Sequence, residues 1–498
     1  MYQEDWIGKW ATYSPNKVAI KELESGRTLT YKQLHEVGKR LAWYFQEQVM
    51  GKAGDRVVVL AENCAAYVGL FSMAQQTGAV LVPLNYRLST EEIDYLIEDA
   101  EPSWIIVEEK YADLISPKVR SATGVTLQSL GALEHYCYEE NGAVGDISAP
   151  NYQENDPLFI LYTSGTTGRP KGAIYSHKML FWNSINTSLS LIINAESRTI
   201  NCMPPFHTGG WNVLLTPFLH HGAFVGIVKK FEPEAILRYL EEEAVSIFMG
   251  VPTMLKMVSD LPVFSIAKLD SLLYMIVGGE PMPIPLIEKW HEKGVPIRQG
   301  YGMTEVGPNL TSLHHDDAIR KKGSIGRPNF YVQTRIVDQD GKDLPAGEAG
   351  ELLLKGPMVT PGYWKNEKAT KEAIKDGWFH TGDRVMRDEE GYLFVVDRVK
   401  NMFISGGENV YPAEVERVLL EHPAIREVAV VGVADPKWGE VGKAFVVFNE
   451  ESTTTEQIVA FCLNKLAKFK IPKHYQFMEE LPKNDTGKID RKSLKNQA

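Results

Sequence analysis

Residues 161–173 read LYTSGTTGRPKGA, and the fold is decided by how this stretch is read. The apolar, aromatic run 158–162 predicts a strand, because loop residues follow it at once. From 163 to 172 the chain places four hydroxyls, three glycines and one ammonium. Glycines let a backbone turn sharply and come close to a ligand. Hydroxyls and backbone N–H groups donate to phosphate oxygens, and a lysine adds a point charge. Thr163, Ser164, Gly165, Thr166, Thr167, Gly168 and Lys171 therefore form a candidate triphosphate cradle. A P-loop is excluded by spacing: Pro170 stands where G-x-x-x-x-G-K-[ST] needs its second glycine, and Gly172 follows Lys171. A Ser/Gly linker shares the composition but has no need of the Pro-Lys-Gly ending.

Before the loop, 18–22 and 26–30 read as a hairpin, and Thr30 to Gln33 as a capping box for a helix carrying Leu34, Val37, Leu41 and Phe45. Strands at 56–60, 79–84 and 104–107 alternate with helices at 65–76 and after Ser89. Residues 110–157 read as a polar surface excursion. After the loop the alternation resumes: helix 177–191, strand 224–228, helix 233–243, strands 246–250 and 275–277. The pattern predicts an α/β fold, with doubly wound, mostly parallel sheets. Short strands and many turns from about 325 to 397 predict a β-rich subdomain of that N-terminal domain, 1–397. The charged break 398–400 is a candidate hinge, and 401–498 carries its own α+β pattern, enough for a small C-terminal domain.

Length (498 residues) agrees with more than one domain. A net charge of −11 argues against a nucleic-acid binder. The four cysteines are far apart, with no C-x-x-C, which suits a reducing, cytoplasmic setting and no zinc site. The N-terminus is acidic and does not read as a signal peptide, and no apolar run approaches the ~18 residues of a membrane span. Peripheral membrane contact and a homodimer stay open.

The 161–173 segment resembles the signature loop of the adenylate-forming superfamily: acyl-CoA synthetases, peptide-synthetase adenylation domains and luciferases. Further segments resemble the family's other motifs in the family's order: Gly278-Gly279-Glu280, Tyr301-Gly302-Met303-Thr304-Glu305, Thr381-Gly382-Asp383, Asp397-Arg398 with Lys400, and Asp485-Thr486-Gly487-Lys488. The resemblance covers nearly the whole chain. It implies two steps: a carboxylate attacks the α-phosphate of ATP, giving acyl-AMP and pyrophosphate, and the CoA thiol then takes the acyl group and releases AMP. Such chemistry needs positioning and charge neutralisation rather than a protein nucleophile.

Roles follow from the resemblance. Glu305 carries Mg²⁺, with Thr304 beside it for the α-phosphate. Gly278, Gly279, Glu280, Tyr301, Gly302 and Met303 flank adenine, and Asp383 and Arg398 hold the ribose. Lys488 enters the site for adenylation; a compact cation on a flexible stem can meet the developing charge. Lys400 matches the hinge about which the C-terminal domain rotates, bringing Ser405, Gly406 and Gly407 to the CoA path. His207 resembles the residue that positions the acyl carboxylate, which is already ionised at neutral pH. Trp211, four residues on, would share a helix face with it and gate an acyl tunnel, or simply pack in the core. Val277, Gly300, Met303 and Val306 complete an apolar acyl pocket. The expected activity is an ATP- and Mg-dependent acyl-CoA ligase, with a medium- or long-chain fatty acid ahead of an aryl (benzoate or cinnamate) acid. A stand-alone enzyme loading a carrier protein and a non-catalytic nucleotide-binding regulator remain as alternatives.

Overall fold

The computed structural model describes the chain outside residues 1–4, 122–123, 139–144, 149–151, 164–168, 280–281, 283, 322, 399–401, 450–452, 483–488, 490 and 498, and outside the side chains of 396–398, 413, 417 and 492. Four sheets carry it. The first has strand order Thr126–Ser129, Pro102–Val107, Arg56–Leu60, Val80–Pro83, Pro157–Thr163, Lys171–Ser176. All pairs are parallel except the last, which is an antiparallel hairpin. Val57 to Leu60 are buried on both faces, as expected for a strand covered by helices on either side. Both expected capping boxes form, Thr30 with Gln33 and Ser89 with Glu92.

The stretch 110–157 departs from expectation. Thr126–Ser129 adds an edge strand to the first sheet. Leu130–Tyr138 is a helix that buries Leu130, Leu133 and Cys137. Three apolar positions in a mostly polar run are enough for a helix when the helices Tyr31–Glu47 and Ala65–Thr77 pack beside them.

A four-stranded sheet joins the Val18–Glu22/Thr28–Thr30 hairpin to Phe224–Ile227 and Arg198–Asn201. The largest sheet, ten-stranded, begins parallel with Ile247–Gly250, Tyr274–Val277 and Ile297–Met303. It turns antiparallel at Gly307–Leu313 and continues through Ser324–Pro328 into Leu393–Arg398, Trp378–Arg387, Ala349–Lys355 and Gln333–Val337. The β-rich segment is thus hydrogen-bonded into the α/β sheet, though it packs its own core around Val306, Leu352, Leu354 and Phe379. A fourth, five-stranded sheet is built wholly within residues 403–477, with the helices Pro412–Leu420 and Thr455–Leu463 on it. The fold is α/β, with a large N-terminal part and a small α+β C-terminal part. Among the described residues no helix is long and apolar enough to cross a membrane.

Candidate active site

The candidate phosphate loop joins the two strands of a hairpin. Thr163 and Lys171 face each other at the ends of its two strands, and Ser164–Gly168 between them lie outside the described residues. Thr163 Oγ1 donates to Glu305 Oε1 at 3.4 Å, and the Tyr363 hydroxyl donates to the same oxygen at 3.0 Å. Lys171 Nζ lies 5.5 Å from the centre of the Tyr363 ring. Burial, then the adjoining Glu305 carboxylate, push the Tyr363 phenol above its usual range, so it acts as a donor. The segment carrying Tyr363 is stitched to the hairpin: Trp364 N–H donates to the Gly172 carbonyl and Ile174 N–H to the Gly362 carbonyl. Glu305 is buried to 7% exposure, and Thr360 N–H donates to its carbonyl. One carboxylate beside hydroxyl donors and the candidate phosphate loop suits Mg²⁺, which takes one or two protein carboxylates and fills the rest with phosphate oxygens and water.

Four residues upstream, the Tyr301 hydroxyl donates to Asp383 Oδ2. Asp383 stands opposite Arg398 in the antiparallel pair of Trp378–Arg387 with Leu393–Arg398. The two expected ribose residues are therefore cross-strand neighbours, although the Arg398 side chain is outside the description. The approach to Asp383 is fixed from below. Its N–H donates to Thr381 Oγ1 at 3.0 Å, and Gly382 N–H donates to Glu351 Oε1 at 3.1 Å. Gly302 permits a close approach of the chain to itself: a Cβ there would fall 2.2 Å from the Pro308 carbonyl. Gly278 and Gly279 end the strand Tyr274–Val277, and Met303 and Thr304 are half-buried between Tyr301 and Glu305. Glu280, Lys400 and Lys488 lie outside the described residues.

His207 precedes the short π-helix Gly209–Val213, so it shares no helix face with Trp211. Its Nε2 meets Glu408 Oε2 at 2.8 Å. The other oxygen of Glu408 takes Arg87 Nη1. Burial alone would raise the Glu408 carboxyl, but His207 and Arg87 more than offset this and hold it below the usual carboxylate range. Glu408 follows Gly406 and Gly407, which form a two-residue hairpin turn between Phe403–Ser405 and Glu408–Val410. Both glycines have positive φ, 60° and 83°; a type I′ turn requires this at both positions. The glycine pair is thus demanded by the turn itself, and the turn sits against His207. A second bridge joins the same two parts of the chain: Lys470 Nζ is shared by Glu92 at 2.7 Å and Glu414 at 2.8 Å. Burial would lower its ammonium, and the two carboxylates hold it above its usual value instead.

The remaining acyl candidates divide. Gly300 and Met303 are half-buried on the strand leading to Glu305. Trp211 is 1% exposed, with Tyr67, Phe159 and Phe71 at 5.3, 5.2 and 5.9 Å between ring centres, and its Nε1 donates to the Pro205 carbonyl. Val277 and Val306 are equally buried, each in a different core. Arg87 and Tyr363 are residues the sequence did not mark, and Glu408 stands out there only as part of the 405–409 segment; each matters through a partner far along the chain.

A family model described as AMP-binding enzyme matches residues 7–364, and one described as AMP-binding enzyme C-terminal domain matches residues 414–488. The chain belongs to the AMP-binding enzyme family. Within the adenylate-forming superfamily, this AMP-binding enzyme is 38% identical over 493 residues to a 2-succinylbenzoate–CoA ligase of Bacillus cereus, covering 99% of this chain and 98% of that protein. It is 37% identical over 491 residues to a feruloyl-CoA synthase of Amycolatopsis, with 97% of each covered. Among solved structures, a double mutant of o-succinylbenzoate CoA synthetase from Bacillus subtilis bound to its product analogue gives a TM-score of 0.89 at 31% identity, covering 99% of this chain and 98% of that one. The same synthetase bound to its acyl-adenylate gives 0.73 at the same identity and coverage. A Mycobacterium tuberculosis fatty acyl CoA synthetase gives 0.76 at 33% identity, covering 99% of this chain and 97% of that one. The AMP-binding enzyme described here is therefore closer in overall arrangement to the product-analogue complex than to the acyl-adenylate complex of one and the same relative.

Proposed function

We propose that the chain is an ATP- and Mg-dependent acid–CoA ligase, and that its acid is aromatic. The expectation that put a fatty acid first gives way, because the relatives of highest identity named above act on succinylbenzoate and ferulate. The observation that carries the ligase reading is the placement of the Ser405–Gly406–Gly407 turn against His207 through Glu408, where a thiol would have to arrive.

In this reading the 163–168 loop and Lys171 hold the triphosphate. Glu305 would hold Mg²⁺, which supplies charge neutralisation at the phosphate oxygens. Asp383 and Arg398 hold the ribose, and Tyr301, Gly302, Met303 and Gly278 to Glu280 flank adenine. The acid lies with its carboxylate near His207. One carboxylate oxygen bonds to the α-phosphorus and the bond to pyrophosphate breaks, while Lys488 meets the charge that develops. The domains 1–397 and 401–498 then turn about 398–400, so that Lys488 leaves and the 405–407 turn comes in. The CoA sulfur, as thiolate, bonds to the acyl carbon, and AMP leaves with the electron pair of the broken C–O bond. Four free, buried cysteines among the described residues suit a cytoplasmic enzyme.

A panel of aryl and alkyl acids with ATP, Mg²⁺ and CoA tests this by CoA-dependent AMP release. Turnover of aryl acids is the expected result, and no turnover with any acid would overturn it. The similarity to a fatty acyl CoA synthetase favours a second reading, which the alkyl arm of the panel decides. Acyl-adenylate forming without CoA turnover would point instead to a carrier-protein loading enzyme.

A further inference from the structure

Between helix His177–Leu191 and the ten-stranded sheet lies a small cavity lined by Thr187, Ser190, Arg298, Gly300, Asn309 and Ser312, among others. It leaves about 10 Å³ to the centre of a water-sized sphere, which is room for one water or one oxygen atom of a larger group. Its place relative to the site is set by two connections. Arg298 and Gly300 lie on the strand that runs on to Tyr301 and Glu305. Asn309 Nδ2 donates to Thr187 Oγ1 at 2.7 Å and to the Val213 carbonyl at 3.2 Å, tying the cavity to the segment that follows His207. At ~3.3 Å per strand residue, Arg298 stands about 10 Å along the strand from Tyr301.

Arg298 is the unusual group. It is 3% exposed. Nη1 donates to the Ser190 carbonyl at 2.7 Å, Nε donates to His315 Nδ1 at 3.3 Å, and the guanidinium lies 4.1 Å from the centre of the Tyr274 ring. A helix C-terminal carbonyl and an aromatic face favour a cation, and Asp316, 3.5 Å from His315, adds a negative charge at longer range, yet among the described residues no carboxylate lies in direct ion-pair contact with Arg298. Burying a guanidinium is costly unless an anion lies against it, and the cavity beside it is where an anion closer than Asp316 would enter.

We propose that Arg298 determines specificity by reading an acceptor oxygen at the far end of the aryl acid, a second carboxylate first and a phenolic oxygen next. This rests on the aryl-acid ligase reading and adds to it the class of acid. With the activated carboxylate near His207, an acid with an apolar far end would leave the guanidinium unmatched and displace whatever water solvates it. An acid ending in a carboxylate gains a charge-assisted hydrogen bond there.

The experiment compares three acids of matched length, ending in carboxylate, hydroxyl or methyl, by kcat/KM for CoA thioester formation and by calorimetric binding. The wild type is expected to prefer the carboxylate-ended over the methyl-ended acid by about 10- to 100-fold, with the hydroxyl-ended acid between them. Arg298→Met should bring the ratio to within about threefold while keeping the methyl-ended acid a substrate, and Arg298→Lys should restore part of it. Equal use of the acids by the wild type overturns the proposal, as does an Arg298→Met that lowers all three equally, which is the signature of a helix-capping role alone. Should Arg298→Met not fold, the wild-type ratio and Arg298→Lys still decide. Failure of every acid to turn over would sink the ligase reading, whereas the calorimetric ratio would still judge Arg298.

Discussion

Tyr301 and Glu305 stand four residues apart on one strand-and-turn, and through their side chains Asp383 and Thr163, from two different sheets, are brought into one unit. Around His207 the construction is different: Glu408 reaches His207 across 201 positions of sequence and Arg87 across 321. In the first region, the contacts of Thr163 with Glu305 and of Tyr301 with Asp383 lie within residues 1–397 and involve no residue of the C-terminal part. The second exists only while that part is docked as it is here. In the proposed function, the two half-reactions would draw on different structural resources: nucleotide binding and adenylation on fixed turns, thioester formation on a contact that is made and broken.

Substitutions can break this contrast at either side. The largest effect is expected from Lys488→Ala, which should lower adenylation, followed by pyrophosphate exchange, by about 100-fold or more, yet leave thioester formation from supplied acyl-adenylate within about threefold. Loss of both would count against two arrangements sharing one site. Asp383→Ala comes next. Removing a buried acceptor that Tyr301 and the strand pairing have pre-set should cost roughly 10- to 100-fold, seen mainly in the KM for ATP. Trp211→Ala probes whether that ring is core or tunnel. Its four aromatic and backbone contacts predict about 3–5 kcal/mol of lost stability by denaturant unfolding, with an unchanged order of acid preference; a changed order would make it a tunnel residue.

The smallest effect is one of pH on the fold. Burial lowers His177 and His220 from 6.5 to about 3. Below pH 6.5 the unfolded chain binds protons that the folded chain refuses, so stability is full above 6.5 and falls as pH drops toward 3. Melting temperature followed from pH 7.5 to 5 should decline, and His220→Asn, which removes one of the two groups, should flatten the decline. A flat wild-type profile would contradict these burials.

The same contrast explains what could be read in the chain. Loop 163–168, the 301–305 turn and Thr381 to Asp383 are contiguous, and their turn residues and hydroxyls carry their chemistry locally, so the sequence displays them. Arg87 looks like any surface arginine after a strand, and Tyr363 like any aromatic after a glycine, until folding sets them beside Glu408 and Glu305. Trp211 illustrates the converse. Its spacing from His207 invites a functional role, but its neighbours Tyr67, Phe71 and Phe159 come from a helix and a strand of the first sheet, and that packing is invisible along the chain. The strand Thr126–Ser129 was hidden for a related reason: four half-exposed residues become a strand only because Pro102–Val107 offers an edge.

Glu408→Gln tests the central claim most directly. Its partners Arg87 and His207 are 42% and 39% exposed in their side chains, so the pair contributes about 1–2 kcal/mol rather than the larger value of a fully buried one. Rapid-quench timing of thioester formation from supplied acyl-adenylate and CoA should then show a slowing of about tenfold, with pyrophosphate exchange unchanged. An equal slowing of both half-reactions, or of adenylation alone, would contradict the assignment of this docked contact to the thioester step.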